Sequence, residues 1–288
     1  MAGRFDVCVV GSANLDLVAT TARLPRPGET VLGTAYAEHP GGKGLNQAVA
    51  SARSGAATAF VGALGSDGAA DLLRGVLAGE DIDAECTTAV DAPTGRALIV
   101  VDASGENSIV VIPGANASVV PSRDQPHAKV VLTQLEIPIA TVQAILVAAR
   151  AGGSLTILNP APAAPLPVEL IAACNVMVPN QHELEQLGGI QHLRDAGCEI
   201  VVTTLGGAGV DVHTGAGVTH IPAFEVPVVD TTGAGDAFCG ALAARLAAGD
   251  EVLDAARWAT AAGALATTVA GAVPAQPTAA AIRRLLRR

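Results

Sequence analysis

The feature that most constrains this chain is a series of short apolar runs, most of them rich in Val and Ile, separated by longer segments with helical spacing. Val7–Val10, Thr58–Val61, Lys129–Thr133, Leu155–Leu158, Val176–Val178 and Ile200–Thr203 are each too short for a helix and read as strands. Between them, Asp67–Leu77, Ile139–Ala151 and Glu183–Leu187 place apolar residues three and four apart. The C-terminal part is mostly helical, over Asp236–Ala247, Glu251–Val269 and Thr278–Leu286. Strands that are apolar throughout, rather than alternating, need cover on both faces, and alternation with helices supplies it. The expectation is one α/β domain with a mostly parallel central sheet, which a length of 288 residues suits.

Some extended pieces do not fit that alternation. Val31–Ala37 follows the turn signal LPRPGE, and Thr94–Val101 and Ser108–Ile112 flank the polar cluster DASGEN as a hairpin. These predict a small second sheet outside the main one. A small sheet with one apolar face needs a partner, so it covers a cleft, pairs with another subunit, or both.

Composition narrows the function classes. The net charge is −10, with 17 Lys+Arg against 27 Asp+Glu and no long basic run, which excludes binding to a nucleic-acid backbone. An anionic small substrate stays possible if backbone amides, one lysine or a metal receive it. Five scattered cysteines without a C-x-x-C pair read as reduced thiols of a cytoplasmic protein. The strand-like start at Val7 leaves no room for a signal peptide. Trp258 to Ile282 carries no charge, but its Ala, Thr and Gly content with Pro274 and Pro277 marks a buried helix and a loop, not a membrane span.

Chemistry concentrates in a few segments. In VDTTGAGDAFCG, Gly233, Ala234 and Gly235 precede a helix, whose unpaired amides and positive dipole end make an anion hole. Asp236 stands at that junction, either as an N-cap or as a carboxylate that takes a hydroxyl proton beside the hole. Asp230 and the doubled threonine favour the second reading, since a cap needs neither. In HPGGKGLNQA, Gly41, Gly42 and Gly44 let backbone approach a ligand, and Lys43 and Asn46 add a cation and an amide. A glycine-rich turn is the plainer alternative. No Walker loop is present, because Gly44 stands where Ser or Thr would, and no G-x-G-x-x-G follows the first strand.

GSANLD places Asn14 and Asp16 at the end of that first strand, where open α/β sheets bind ligands, though an Asx-turn is an equal reading. Glu136 in TQLEIP has the same two readings. Asn180 and Glu183 in PNQHELEQL suit a grip on hydrated Mg²⁺ and phosphate, with a capping box as the rival. TLGGAG, Thr204 to Gly209, is a glycine-rich turn at a strand end, suited to a nucleotide.

In this order, GSANLD, LPRPGET, HPGGKGLNQA, IVVIPGAN, TQLEIP, NPAP, PNQHE, TTLGGAG and VDTTGAGDAF resemble the PfkB carbohydrate kinases, the ribokinase branch most closely. The resemblance implies a ribokinase-like three-layer α/β fold over residues 1–288, with a β-sheet lid formed by about 14–40 and 93–112. It implies transfer of the ATP γ-phosphoryl group to a primary hydroxyl, D-ribose giving D-ribose 5-phosphate. Deoxyribose, a nucleoside, fructose or a sugar acid is the alternative substrate, and a non-catalytic sugar- or nucleotide-binding protein the alternative class. Asp236 matches the catalytic base, and Gly233, Ala234 and Gly235 the anion hole. Asn14, Asp16, Gly42, Lys43, Asn46 and Glu136 match sugar contacts. Asn180, Thr204, Leu205, Gly206, Gly207, Gly209 and Gly235 match the nucleotide site, and Glu183 holds Mg²⁺ through water. Asp230 and Thr232, with carbonyls at Ala266, Val269 and Gly271, match an activating monovalent-cation site, usually K⁺. There are three departures: the later loop has Val269 and Ala275 where ribokinases commonly have Arg and Ser, Leu45 stands where Ala is usual, and the chain between Glu183 and Thr204 is shorter than typical. A lid-to-lid homodimer is also implied.

Overall fold

A computed structural model describes residues 5–121 and 126–287. In chain order the strands are β1 (Phe5–Val10), β2 (Asn14–Thr21), β3 (Gly33–Gly41), β4 (Thr58–Val61), β5 (Ala63–Leu64), β6 (Thr88–Ala89) and β7 (Gly95–Val101). They continue as β8 (Asn107–Ile112), β9 (Ala128–Thr133), β10 (Leu155–Leu158), β11 (Val176–Met177), β12 (Ile200–Thr204), β13 (Val210–Thr214) and β14 (Gly217–Ile221). The helices are α1 (Lys43–Arg53), α2 (Gly68–Gly79), α3 (Ile139–Ala151), α4 (Val168–Ala172) and α5 (Gln181–Gln186). After these come α6 (Gly189–Asp195), α7 (Ala234–Ala247), α8 (Val252–Ala266), α9 (Ala272–Ala275) and α10 (Ala279–Leu286).

The central sheet has the order β14-β13-β12-β11-β10-β9-β1-β4, parallel from β4 to β12 and antiparallel at the β12–β13–β14 edge. Successive side chains of a strand point to opposite faces, so the apolar runs feed two cores. Val7, Val9, Val130 and Leu132 pack with α1, α2, α7, α8 and α10 on one side. Cys8, Val10, Val131 and Leu158 pack with α3, α4 and α6 on the other. That is the expected three-layer architecture. Four cysteines are buried and Cys86 is partly so, and none of the five forms a disulfide.

The second sheet has the order β3-β2-β7-β8. It corrects one expectation: β1 ends at Val10, so Asn14 and Asp16 open β2 in the small sheet instead of closing the first strand. Asp67, the N-cap of α2, joins this sheet to the body through Thr94 and Arg96 at the start of β7. Leu98, Ile109, Val110, Val111 and Ile112 of β7 and β8 are exposed. Glu251–Val269 also proves too long, because α8 ends at Ala266 and the carbonyls of Ala264 and Leu265 are capped by the turn after it.

Candidate active site

The glycine-rich turn sets the position of Asp236. Gly233 is the N-cap of α7, with φ of 75°, a left-handed conformation that glycine adopts at little cost. Asp236 is therefore the third residue of the helix, not its cap, and no side chain caps α7. Its carboxylate, 7% exposed, turns instead toward α1, where Asn46 Nδ2 donates to Oδ2 and Gln47 Nε2 donates to Oδ1, each at 2.9 Å. The capping alternative is overturned because both oxygens are engaged by another helix.

Lys43 opens α1, and its backbone amide donates to Glu136 Oε2 at 3.1 Å, while Ser12 Oγ donates to the same oxygen at 2.5 Å. Glu136 lies just beyond β9, so the β1–β2 turn, the start of α1 and the end of β9 converge. The glycines between them serve this packing. A Cβ on Gly41 would lie 2.1 Å from Asp16 Oδ2, and one on Gly44 would lie 2.6 Å from the Ser12 backbone. Gly42 has φ of 89°, and a Cβ there would lie 2.8 Å from Asn14 N. These glycines are thus required by the close approach of the Asp16 carboxylate and of neighbouring backbone, beside whatever approach they give a ligand. Asn14 is buried, with Oδ1 accepting from Asn116 Nδ2 at 2.7 Å.

The charges of this centre act on one another. Burial, then Glu136 and Asp236, push the Asp16 carboxyl up to about 7. Burial lowers the Lys43 ammonium, but Asp236, Glu136 and Glu183 outweigh it and hold the group above its ordinary value. Burial also raises Glu183, against the pull of its Asn180 hydrogen bond and Lys43. Asp16 Oδ1 and Asn46 Oδ1 are buried without a hydrogen-bond partner among the described residues. Such atoms are uncommon in a native interior and call for a ligand or water.

Two adjoining clefts meet at α7. A pocket of about 140 Å³ is lined by Lys43, Asn180, Glu183, Thr204, Gly233 and Asp236, among others. Asn180 and Glu183 form the capping box of α5, through Glu183 N to Asn180 Oδ1 and Asn180 N to Glu183 Oε2, both at 2.8 Å. The cap and the cleft-lining position coexist, since Glu183 Oε1 is not used by the box. A larger cleft of about 680 Å³ runs along Thr204, Gly206, Gly207, Gly209, Ala234 and Gly235, with Phe224 and Phe238 in its apolar wall. Leu205 does not line it.

Asp230 accepts from Thr232 N at 2.9 Å and Gly271 N at 2.8 Å. Burial would raise this carboxyl, but these amides hold it below its ordinary value. Ala266 is buried and Val269 is 45% exposed. Asp230, Gly271 and the turn after α8 thus share one locality, and an anionic carboxylate with nearby carbonyls is a donor set suited to a hard cation. Glu183, an oxygen donor on the smaller cleft, likewise fits a hydrated Mg²⁺. Among the described residues no helix is long and apolar enough to cross a membrane.

Gln47, Gln134, Asn159 and Asn116 were not singled out by sequence, although each lies in one of the motifs above. Their signal was being polar inside an otherwise apolar stretch: all four are buried.

Comparison with known proteins bears on all of this. The family model described as pfkB family carbohydrate kinase matches residues 4–279. A ribokinase of Bacillus subtilis is 37% identical over 98% of this chain and 99% of its own length. A bifunctional ribokinase/ribose-5-phosphate isomerase A of Fructilactobacillus sanfranciscensis is 40% identical over 97% of this chain, which spans 56% of that longer protein. The structure of Arabidopsis thaliana ribokinase complexed with ribose and ATP matches with a TM-score of 0.90 and 31% identity, covering 100% of both chains.

Proposed function

The chain belongs to the pfkB family of carbohydrate kinases, and from that premise we propose that it transfers the γ-phosphoryl group of ATP to the 5-hydroxyl of D-ribose. The observation that carries the reading is the pair of orphaned buried oxygens, Asp16 Oδ1 and Asn46 Oδ1, beside Asp236 at the start of α7. Acceptors left without donors match a molecule rich in hydroxyl groups, and the adjacent helix start receives phosphate.

Asp16, Asn14, Gly42, Lys43, Asn46 and Glu136 hold the sugar, and the cleft along Thr204–Gly209 and Gly235 holds the nucleotide. As the sugar oxygen bonds to the γ-phosphorus, its proton passes to Asp236, the bond to the bridging oxygen breaks, and ADP departs with that electron pair. The transition state is loose, so the carboxylate mainly orients the hydroxyl and accepts its proton late. The amides of Gly233 and Gly235, with the dipole of α7, stabilise the charge on the moving phosphoryl group, joined by that of Ala234 once it leaves the Thr231 carbonyl, to which it donates at 3.3 Å. Mg²⁺, held through water by Glu183 next to Asn180, would neutralise the phosphate oxygens. Asp230, Thr232 and the carbonyls of Ala266, Val269 and Gly271 would hold K⁺; turnover equal in K⁺ and in choline salt would remove that site.

The four-stranded sheet acts as a lid that excludes water, which protects ATP from hydrolysis. Its exposed apolar strands suit a second copy of the chain, so the proposed form is a homodimer in the cytoplasm, and a monomer in sedimentation would exclude it. The deciding experiment compares turnover on ribose, 2-deoxyribose, fructose and adenosine, with Asp236→Asn alongside. Ribose is expected to lead. Asp236→Asn is expected to lose turnover by orders of magnitude and to keep sugar binding, and near-normal turnover removes its role as base.

A further inference from the structure

We propose that Gln47 is a positioning residue: its carboxamide, locked in one orientation by a chain of buried amides, fixes the Asp236 carboxylate for proton acceptance. This deepens the kinase reading and rests on Asp236 being the base.

The orientation can be followed atom by atom. The Val178 carbonyl can only accept, so Asn159 must face it with Nδ2, at 2.9 Å. That turns Asn159 Oδ1 toward Gln47, which must answer with Nε2, at 3.1 Å. The same Nε2 donates to Asp236 Oδ1 at 2.9 Å. Gln47 Oε1 then faces the other way and accepts from Gln134 Nε2 at 2.6 Å. Flipping the Gln47 amide would set oxygen against oxygen at both Asp236 and Asn159, and nitrogen against nitrogen at Gln134. In a buried setting each such mismatch is costly, because no water can repair it.

The residues come from separate parts of the fold: Gln47 from α1, Gln134 from just beyond β9, Asn159 from just beyond β10, Asp236 from α7. Gln47 and Gln134 have no exposed surface, and Asn159 is 8% exposed. Asn46 Nδ2 takes the other Asp236 oxygen at 2.9 Å. With one donor on each oxygen, the plane of the carboxylate is set by α1, while a lone pair stays free on each oxygen for the sugar hydroxyl. Asn46 keeps its Oδ1 without a protein partner and available to the proposed sugar, whereas both ends of the Gln47 amide are taken by protein groups, so the two amides divide the work.

The test is Gln47→Met, which keeps length and removes all three side-chain hydrogen bonds of Gln47. Turnover per folded site at saturating ribose and ATP is expected to fall about 10- to 100-fold. Ribose affinity by calorimetry and KM for ATP should stay within about threefold of the parent. In an Asp236→Asn background the same substitution should slow turnover no further, because Gln47 acts only through that carboxylate. Turnover within twofold of the parent, equal losses in turnover and ribose affinity, or a full additional loss in the Asp236→Asn background would each overturn the proposal. If Gln47→Met fails to fold, Asn159→Ser removes the amide that orients Gln47. Several-fold slower turnover with unchanged ribose affinity then supports the proposal, and parental turnover overturns it. A parent inactive on every sugar would sink the kinase reading itself, whereas an active parent indifferent to Gln47 sinks this inference alone.

Discussion

Helices α1 and α7 cross at Gly240, and that crossing carries the proposed active-site geometry. A Cβ on Gly240 would lie 2.4 Å from the Gln47 carbonyl oxygen, 2.5 Å from Ala50 Cβ and 2.9 Å from Ser51 N. Ordinary contact begins near 3.4 Å, so Gly240→Ala requires the helices to part by about 1 Å. The obstacles are backbone atoms and a short side chain, so no rotamer change relieves them. Overpacking of this kind costs about 1–3 kcal/mol. Alanine returns up to about 1 kcal/mol of helix propensity, which leaves a net loss of about 2 kcal/mol at the upper end. At roughly 2–4 °C per kcal/mol for chains of 150–250 residues, that upper end is a fall in Tm of about 4–8 °C. The same displacement opens the 2.9 Å contacts from Asn46 and Gln47 to Asp236. An ångström of misplacement can cost about 10²-fold in rate, so kcat should fall by at least tenfold. Calorimetry and steady-state kinetics read the two effects. A matched control is Gly75→Ala, on the exposed side of α2, where the added methyl would meet no atom within 4 Å and roughly 0.5–1 kcal/mol of stabilisation is expected. A Gly240→Ala protein stabilised as much as Gly75→Ala would refute the packing argument, and one with lowered Tm but parental kcat would refute its link to the site.

Two further perturbations follow from the electrostatics and the loop contacts. Asp16 binds its proton more tightly in the folded chain, up to about 7 against an ordinary 3.8, so its contribution to stability is full below 3.8 and falls as pH rises toward 7. Asp16→Asn should therefore be more stable than the parent at pH 8 and about equal near pH 4 in denaturant melts without ligand; parallel stability curves would refute the assignment. Arg53 pairs with Glu80 at 2.5 Å and donates to the carbonyls of Val273 at 3.1 Å and Gln276 at 2.7 Å. Gln276 in turn reaches the Gly233 carbonyl at 3.4 Å. Arg53→Met should cost about 2 kcal/mol in urea melts, since it strands half-buried acceptors, and a loss below about 0.5 kcal/mol would show that the loop holds itself.

Hydrophobic periodicity located several elements closely, and the reason is local. Thr58–Val61, Leu155–Leu158 and Ile139–Ala151 have the bounds expected from pattern alone, because each is apolar for burial on both faces or carries an amphipathic spacing that one segment can display. Other elements had no such local mark. β2 reads NLDLVATT and mixes charge into a strand, since it lies in the small sheet where much of its surface is only half-buried. The β13–β14 hairpin at the sheet edge, Val210–Thr214 and Gly217–Ile221, went unread, because strand preference there depends on a neighbour more than on the residues themselves. Helix α1 hid behind the glycines of its first turn, whose small size is required by Ser12 and Asn14 from another segment.

The candidate site divides the same way. Residue type and order along the chain determined which groups exist: a glycine turn before a helix, a lysine among glycines, carboxylates after strands, all covalent facts. Whether Asp236 caps its own helix or faces α1 was decided only by the crossing of α1 and α7, 190 residues apart for Asn46 and Asp236. The raised Asp16 carboxyl and the one-way chain through Gln134, Gln47 and Asn159 are likewise tertiary. Burial and the direction of a hydrogen bond belong to pairs of groups brought together in space, and no single segment contains both partners.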